Sequence, residues 1–173
     1  FRHRLRRAAE EVARQLGAGH SEAAYSRACS AQLQSEGVLH QCEHHTPVVY
    51  WPNGDSPCGV PFHISDERID ILAYEPGDEG RVHVLELKAT TARVSPRQPV
   101  AAQSAMPAAH VQLLKYVRNL QQSDPLLACR VAQGHVVNFR QSVTFEDPQM
   151  RVEFDTLDVE REVWMWDDQQ QGS

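Results

Sequence analysis

The sequence lacks a long hydrophobic segment. No run of apolar residues approaches the roughly 18 that a membrane-spanning helix needs, and no segment resembles a secretory signal peptide. Cysteine is also scarce. The four cysteines show no Cys-x-x-Cys spacing, and in a chain of 173 residues this usage is typical of reduced thiols. We therefore expect an intracellular protein, without a basis for choosing a cytoplasmic, nuclear or organellar compartment.

A basic surplus is absent as well. The chain carries 17 Lys and Arg against 23 Asp and Glu, for a formal net charge of −6 at pH 7. Proteins that bind nucleic acid tightly and without sequence preference gain much of their affinity by neutralising phosphates. The acidic balance argues against such a binder. It is compatible with an enzyme whose own acidic residues hold a metal ion, because bound cations offset part of the deficit.

What the sequence does contain is typical of one globular domain. Apolar residues make up 41% of the chain and charged residues 23%, close to ordinary soluble proteins. The length is enough for a sizeable core, and no internal repeat divides it. We therefore predict a single domain over residues 1–173.

The most informative stretch runs from Arg68 to Thr90. Two segments with the alternation of β-strands flank a link that contains Pro and Gly, which predicts a hairpin. Asp70 lies in the first strand, and Glu86 and Lys88 lie on one face of the second. Ionisable groups in central strands are costly to bury without a partner. A divalent cation held by Asp70 and Glu86 would be such a partner.

Other elements follow from periodicity and from helix start and stop signals. Apolar spacing predicts helices over 4–16, from Ser21 toward Gly37, and over about 108–122. Further strands are predicted near 42–51, 126–132, 134–139 and 150–157, with a tight turn between the second and third of these. The resulting order, α-α-β-β-β-α-β-β and a further strand, predicts a mixed sheet with helices packed on it.

Five short motifs in this order resemble a known superfamily. They are Gly19–Tyr25, which reads Gly-x-x-Glu-x-x-Tyr, then Arg68–Leu72, Glu86–Ala89, Gln112–Tyr116 and Val136–Phe139. Each motif alone is weak, but the ordered set resembles the PD-(D/E)xK nucleases, and within them the small family named for the Gly-x-x-Glu-x-x-Tyr signature. The resemblance covers about residues 5–140. It implies an α/β fold with a restriction-endonuclease-like core, a mixed β-sheet flanked by helices.

The resemblance also implies a metal site. Asp70 and Glu86 would be ligands of Mg²⁺ or Mn²⁺, with the backbone carbonyl of Leu87 as a third. Mg²⁺ prefers hard oxygen ligands and takes only one or two carboxylates. Glu22 would bind a second ion or orient a water molecule. The implied reaction is hydrolysis of phosphodiester bonds in DNA or RNA.

Three further side chains complete the implied site. Lys88 would position the attacking water and stabilise charge in the transition state. Gln112 and Tyr116, four residues apart and hence on one helix face, would orient Lys88, the water or a phosphate. This pair also resembles the extra motif of RecB-like and λ-exonuclease-like enzymes, which implies DNA ends as a candidate substrate.

Less specific interpretations remain open. Asp70 and Lys88 alone would serve as a buried ion pair in a catalytically inactive nuclease fold that acts as a structural subunit of a larger assembly. A zinc site is a less favoured alternative, because the spacing of its candidate ligands fits no common zinc finger. Those candidates are Cys42, His44, His45, Cys58 and His63.

Two segments depart from the family pattern. The proline-containing loop at 92–107 is longer than usual, and residues 141–173 form a C-terminal extension without a counterpart. Either segment is a candidate surface for a protein partner. Within the extension, Trp164 and Trp166 are predicted to share one strand face and to pack in the core or at an interface.

Overall fold

The computed structural model describes residues 1–52, 60, 62–77, 80–92, 106–142 and 149–165. Within them, helices and strands alternate in blocks along the chain. The elements are α1 (Arg2–Leu16), α2 (Glu22–Ser35), β1 (His40–Tyr50), β2 (Phe62–Tyr74), β3 (Val82–Ala92), α3 (Met106–Ser123), α4 (Pro125–Ala128), β4 (Val131–Ser142), β5 (Gln149–Asp158) and β6 (Val163–Met165).

The six strands form one mixed sheet in the order in which they occur along the chain. Neighbouring strands are antiparallel except β3 and β4, which are parallel. A parallel pair requires a crossover connection, and α3 with α4 lies in that connection. The predicted fold class, a mixed sheet flanked by helices with a restriction-endonuclease-like arrangement, is confirmed.

Helices α1 and α2 cover one face of the sheet. The buried residues of α1 recur at helical spacing, from Leu5 to Ala13, and pack with Leu85 and Leu87 of β3. Between the helices the backbone turns at Gly17, whose φ of 68° favours glycine. Ser21 then caps α2 by accepting a hydrogen bond from the Ala24 N–H, as predicted.

Helix α3 covers the other face. Its buried residues pack against Val84 of β3 and Val136 of β4. Because side chains alternate along a strand, Glu86 and Lys88 share the face of Val84 and point toward the α3 side. Leu85 and Leu87 lie in the opposite core. The predicted division of β3 into a charged face and an apolar face is confirmed.

The strand predicted over 134–139 is confirmed as part of β4, but the separate strand over 126–132 and the tight turn after it are wrong. Asp124 caps a short helix by accepting from the Leu127 N–H, and Pro125 fits the first helical position because it needs no donor there. β4 then runs without interruption through Gly134. Gly134 lies within the strand at the point where α3 comes close to it, and no turn occurs there. A Cβ there would lie 2.7 Å from Leu113 Cδ2.

The C-terminal part joins the same sheet. β5 contains the strand predicted over 150–157. β6 contains Trp164, which was predicted to lie in a strand, and pairs with β5 along three residues. Trp164 packs against the α3 core, whereas Trp166 and most of the 92–107 loop lie outside the described residues. None of the described helices has the length and apolar character needed to cross a membrane.

Candidate active site

Strands β2 and β3 separate partway along their length. Their pairing extends from Tyr74↔Val82 to Ile71↔Leu85, while β2 continues along β1 and β3 continues along β4. The edge of β3 that faces β2 is therefore open from Glu86 onward. The backbone groups at this fork need other partners.

Asp70 of β2 is a hydrogen-bond partner for one backbone group of β3 across this fork. Its Oδ2 accepts a hydrogen bond from the Leu87 N–H at 2.7 Å. In a strand, the N–H and C=O of one residue point to the same side, so the Leu87 carbonyl also faces the gap next to Asp70. Burial raises the pKa of the Asp70 carboxyl, and the Leu87 N–H and the Lys88 ammonium only partly counter that effect.

Glu86 is the most deeply buried acid of the group, with a side chain only 1% exposed. One carboxylate oxygen, Oε1, forms an ion pair with the Lys88 ammonium. The other, Oε2, has no hydrogen-bond partner among the described residues. Burial and, to a smaller extent, the nearby Asp70 raise the pKa of Glu86 to about 7. An added positive charge would strongly stabilise the charged form of such a buried carboxylate.

Lys88 lies between two acids from different elements. Besides Glu86, its Nζ pairs with Glu22 Oε1 of α2 at 3.7 Å. Burial lowers the pKa of Lys88, but the surrounding carboxylates outweigh burial and leave that pKa raised. Lys88 is therefore an ammonium ion at neutral pH.

The position of Glu22 depends on the turn before α2. Tyr25 donates a hydrogen bond from its hydroxyl to the Gly17 carbonyl at 2.7 Å, and its ring stacks on Phe139 at a centroid distance of 4.5 Å. Tyr25, the last residue of the Gly-x-x-Glu-x-x-Tyr motif, therefore packs and hydrogen-bonds beside the site. Glu22 itself remains 47% exposed.

A second anchor of this turn was missed by sequence reasoning. Gln141 at the end of β4 is buried. Its Oε1 accepts from the Gly19 N–H at 2.5 Å, and its Nε2 donates to the His20 carbonyl at 3.1 Å. One side-chain amide therefore holds the backbone of two consecutive residues, Gly19 and His20, just before Glu22. The only sequence signal was an amide on the same strand face as Phe139, which is too common to identify such a contact.

Gln112 and Tyr116 lie on the face of α3 that approaches these acids. Gln112 donates a side-chain hydrogen bond to the Tyr116 hydroxyl. Burial and then the charge of Glu86 raise the pKa of Tyr116, so the hydroxyl stays protonated. Tyr116 is thus near enough to Glu86 to be affected by its charge, and within the described residues no direct hydrogen bond joins the pair to Lys88. The orienting role of Gln112 and Tyr116 stays a prediction.

The donor set fits a hard divalent cation. Asp70 and Glu86 provide two carboxylates, and the buried Glu86 Oε2 lacks a hydrogen-bond partner among the described residues. Mg²⁺ needs only one or two carboxylates because it keeps several waters. Within the described residues, no three His, Cys, Asp or Glu side chains form a group that could hold a metal. Glu22 therefore lies beside Lys88 and does not complete a three-acid cluster.

The zinc alternative gains no support from the described residues. Cys42, His44 and His45 lie along β1 without forming a ligand cluster, and His63 pairs with Asp66 at 3.1 Å. Cys58 lies outside the described residues.

The family of this chain follows from its similarity to known proteins. A family model described as "PD-(D/E)XK nuclease superfamily" matches residues 1–95. No curated protein matches the chain. A solved structure titled "Crystal structure of SSO0001" is 17% identical over 86% of this chain and 74% of that chain, with a TM-score of 0.32. Because the family model spans more than half of the sequence, including Asp70, Glu86 and Lys88, the chain belongs to the PD-(D/E)XK nuclease superfamily.

Proposed function

We propose that this protein is a divalent-metal-dependent nuclease that hydrolyses phosphodiester bonds of DNA or RNA. The observation that carries the proposal is the fork between β2 and β3. Asp70 and Glu86 meet there beside the Lys88 ammonium, and one buried carboxylate oxygen lacks a hydrogen-bond partner among the described residues. Outside a functional site, such an oxygen is a net cost to folding.

In this proposal, Asp70, Glu86 and the Leu87 carbonyl hold Mg²⁺ or Mn²⁺. When bound, the cation supplies positive charge to phosphate oxygens and makes water a nucleophile near neutral pH. Lys88 presents a positive charge at neutral pH in the same fork, suited to hold water in position and to stabilise the charge that develops on the phosphate.

Glu22, Gln112 and Tyr116 complete the proposed site. Glu22 orients the Lys88 ammonium and a water molecule. The same hypothesis includes a second cation bound by Glu22. Gln112 holds the Tyr116 hydroxyl, and the protonated phenol is available to donate to a phosphate. The Gly-x-x-Glu-x-x-Tyr signature at Gly19–Tyr25 further supports membership of the small family named for it, since both Glu22 and Tyr25 make contacts at this site.

The test is cleavage of labelled single- and double-stranded DNA and RNA with Mg²⁺ or Mn²⁺. We expect wild-type protein to cut at least one substrate and lose the activity in EDTA. Asp70→Asn and Lys88→Ala should reduce the rate by about 10²-fold or more. Matched controls are Asp66→Asn, an exposed acid on the same strand, and Lys115→Ala on α3. Wild-type protein inactive on every substrate would contradict the proposal.

A structural subunit is the second candidate function. One observation favours it, since Lys88 pairs with both Glu86 and Glu22 and so gives these acids a partner within the protein. If the protein is an inactive subunit, calorimetry should detect no heat of Mn²⁺ binding. The Asp70→Asn variant should then give the same absence of heat as the wild type. Metal binding that depends on Asp70 would favour the nuclease.

A further inference from the structure

A second polar row lies on the same sheet face as Lys88. Across β3, β4 and β5, Lys88 is in register with Asn138 and Glu153. The next position on this face aligns Thr90, Arg140 and Arg151. Two residues along a strand span about 6.6 Å. The second row is therefore one such step from the proposed catalytic position.

A buried network holds one arginine of this row in place. Thr90 donates its hydroxyl to Asn138 Oδ1 at 3.0 Å, and Asn138 donates to Glu153 Oε2 at 2.8 Å. The other Glu153 oxygen accepts from the Arg140 Nη1 at 2.9 Å. Asn138 is fully buried. Arg140 is thus oriented by its neighbours, while its guanidinium has five donors and uses one of them here.

The second arginine creates an electrostatic imbalance. Arg140 and Arg151 are directly opposite each other on antiparallel strands, an arrangement that is destabilising for like charges. Glu153 pairs with Arg140, whereas Arg151 is exposed and forms no ion pair with any described residue. This local positive charge stands out in a chain of net charge −6. An anion between the two guanidinium groups would remove the repulsion.

We propose that Arg140 and Arg151 bind a backbone phosphate of the substrate strand next to the phosphate at Lys88. This inference makes the proposed function more specific and rests on it. Guanidinium groups match phosphate oxygens bidentately. Contacts to phosphate position a nucleic acid without reading its sequence, so these residues would set the register of the strand for any base sequence.

The experiment measures binding separately from cleavage. Fluorescence anisotropy of labelled single- and double-stranded oligonucleotides in EDTA gives Kd over a range of salt concentrations. Arg151→Gln is the main variant because it breaks no contact with a described residue. We expect Kd to rise about tenfold and the salt slope to fall by about 1, equally for unrelated sequences. Arg140→Gln/Arg151→Gln should lower the slope further.

The matched control is Arg27→Gln, an exposed arginine on α2, which packs on the opposite face. It should leave Kd and the salt slope unchanged. If Arg151→Gln binds like the wild type, or if the wild type binds no nucleic acid, the phosphate site is overturned. Arg151-dependent binding in a protein that never cleaves would uphold the phosphate site and reject the nuclease.

Discussion

Gly134 of β4 lies directly against Leu113 of α3. A Cβ on Gly134 would lie 2.7 Å from Leu113 Cδ2 and 3.1 Å from its Cγ. Leu113 is fully buried, so its side chain has little room to move away. The close approach of α3 to the sheet therefore depends on the missing side chain of Gly134.

We predict that Gly134→Ala destabilises the fold by about 1–3 kcal/mol, because added volume in a packed core forces shifts of neighbouring groups. Chemical denaturation measures the loss. Combining Gly134→Ala with Leu113→Val should recover part of the stability, since valine withdraws the atoms that clash. A fully stable Gly134→Ala protein would contradict the close approach of α3.

Replacing Gln141 should impair the site more than the fold. In Gln141→Ala, the Gly19 N–H and His20 carbonyl lose their partners, and the turn before Glu22 is released. Both residues are exposed, so water can replace the lost hydrogen bonds and the fold should lose little stability. We expect a drop in kcat with little change in KM. Gln133→Ala on the same strand serves as the control, and equal kinetics for the two variants would count against a positioning role of Gln141.

Asp70→Asn should raise the Tm of the metal-free protein above neutral pH. The folded-state pKa of Asp70 is raised, so its charged form opposes folding at high pH, and asparagine removes that charge. Each 1 kcal/mol gained corresponds to about 2–4 °C for a chain of this size. Added Mn²⁺ should stabilise the wild type and not the variant. A lower Tm for metal-free Asp70→Asn would indicate a structural role instead.

A buried histidine pair predicts loss of stability in acid. His83 Nδ1 and His135 Nε2 are 2.9 Å apart, and Glu75 lies 3.4 Å from the other His83 nitrogen. Burial is the main cause that lowers the pKa of both rings, and the neighbouring His83 further lowers that of His135. The folded protein therefore binds fewer protons than the unfolded chain, whose histidines titrate near 6.5.

It follows that the free energy of unfolding should fall as the pH drops below about 6.5. Glu86 acts in the opposite direction, since its raised pKa makes the fold more tolerant of acid. Comparison of the wild type with a His83→Asn/His135→Asn variant isolates the histidine contribution, because Glu86 is common to both. Urea titrations between pH 8 and 5 should give a smaller decline for the variant, whereas exposed His45→Asn should match the wild type.

The sequence was sufficient for features that depend on local order. Ser21 as a helix cap and the charged face of β3 follow from neighbouring residues, and the structure contains both. The approach of Glu22 to Lys88 could be predicted only from a recognised motif, because the two residues are 66 positions apart in the chain. Alternation alone could not place α2 beside β3.

Contacts between distant segments were not predictable in the same way. Gly134 resembles a turn residue in the sequence, and only the packing of Leu113 shows why a strand contains it. Likewise, Asp70 was predicted as a metal ligand, but its hydrogen bond to a backbone N–H depends on where β2 and β3 separate. The alignment of Arg140 with Arg151 depends on the register of β5, which the sequence does not specify.

The fork has a consequence for how this protein tolerates genetic change. The donor that fixes Asp70 belongs to the peptide group of residue 87 and not to a side chain. Nineteen of the twenty amino acids would provide the same N–H, and only proline would remove it. Substitutions at Leu87 thus alter the apolar core behind the sheet while preserving the anchor of the neighbouring acid.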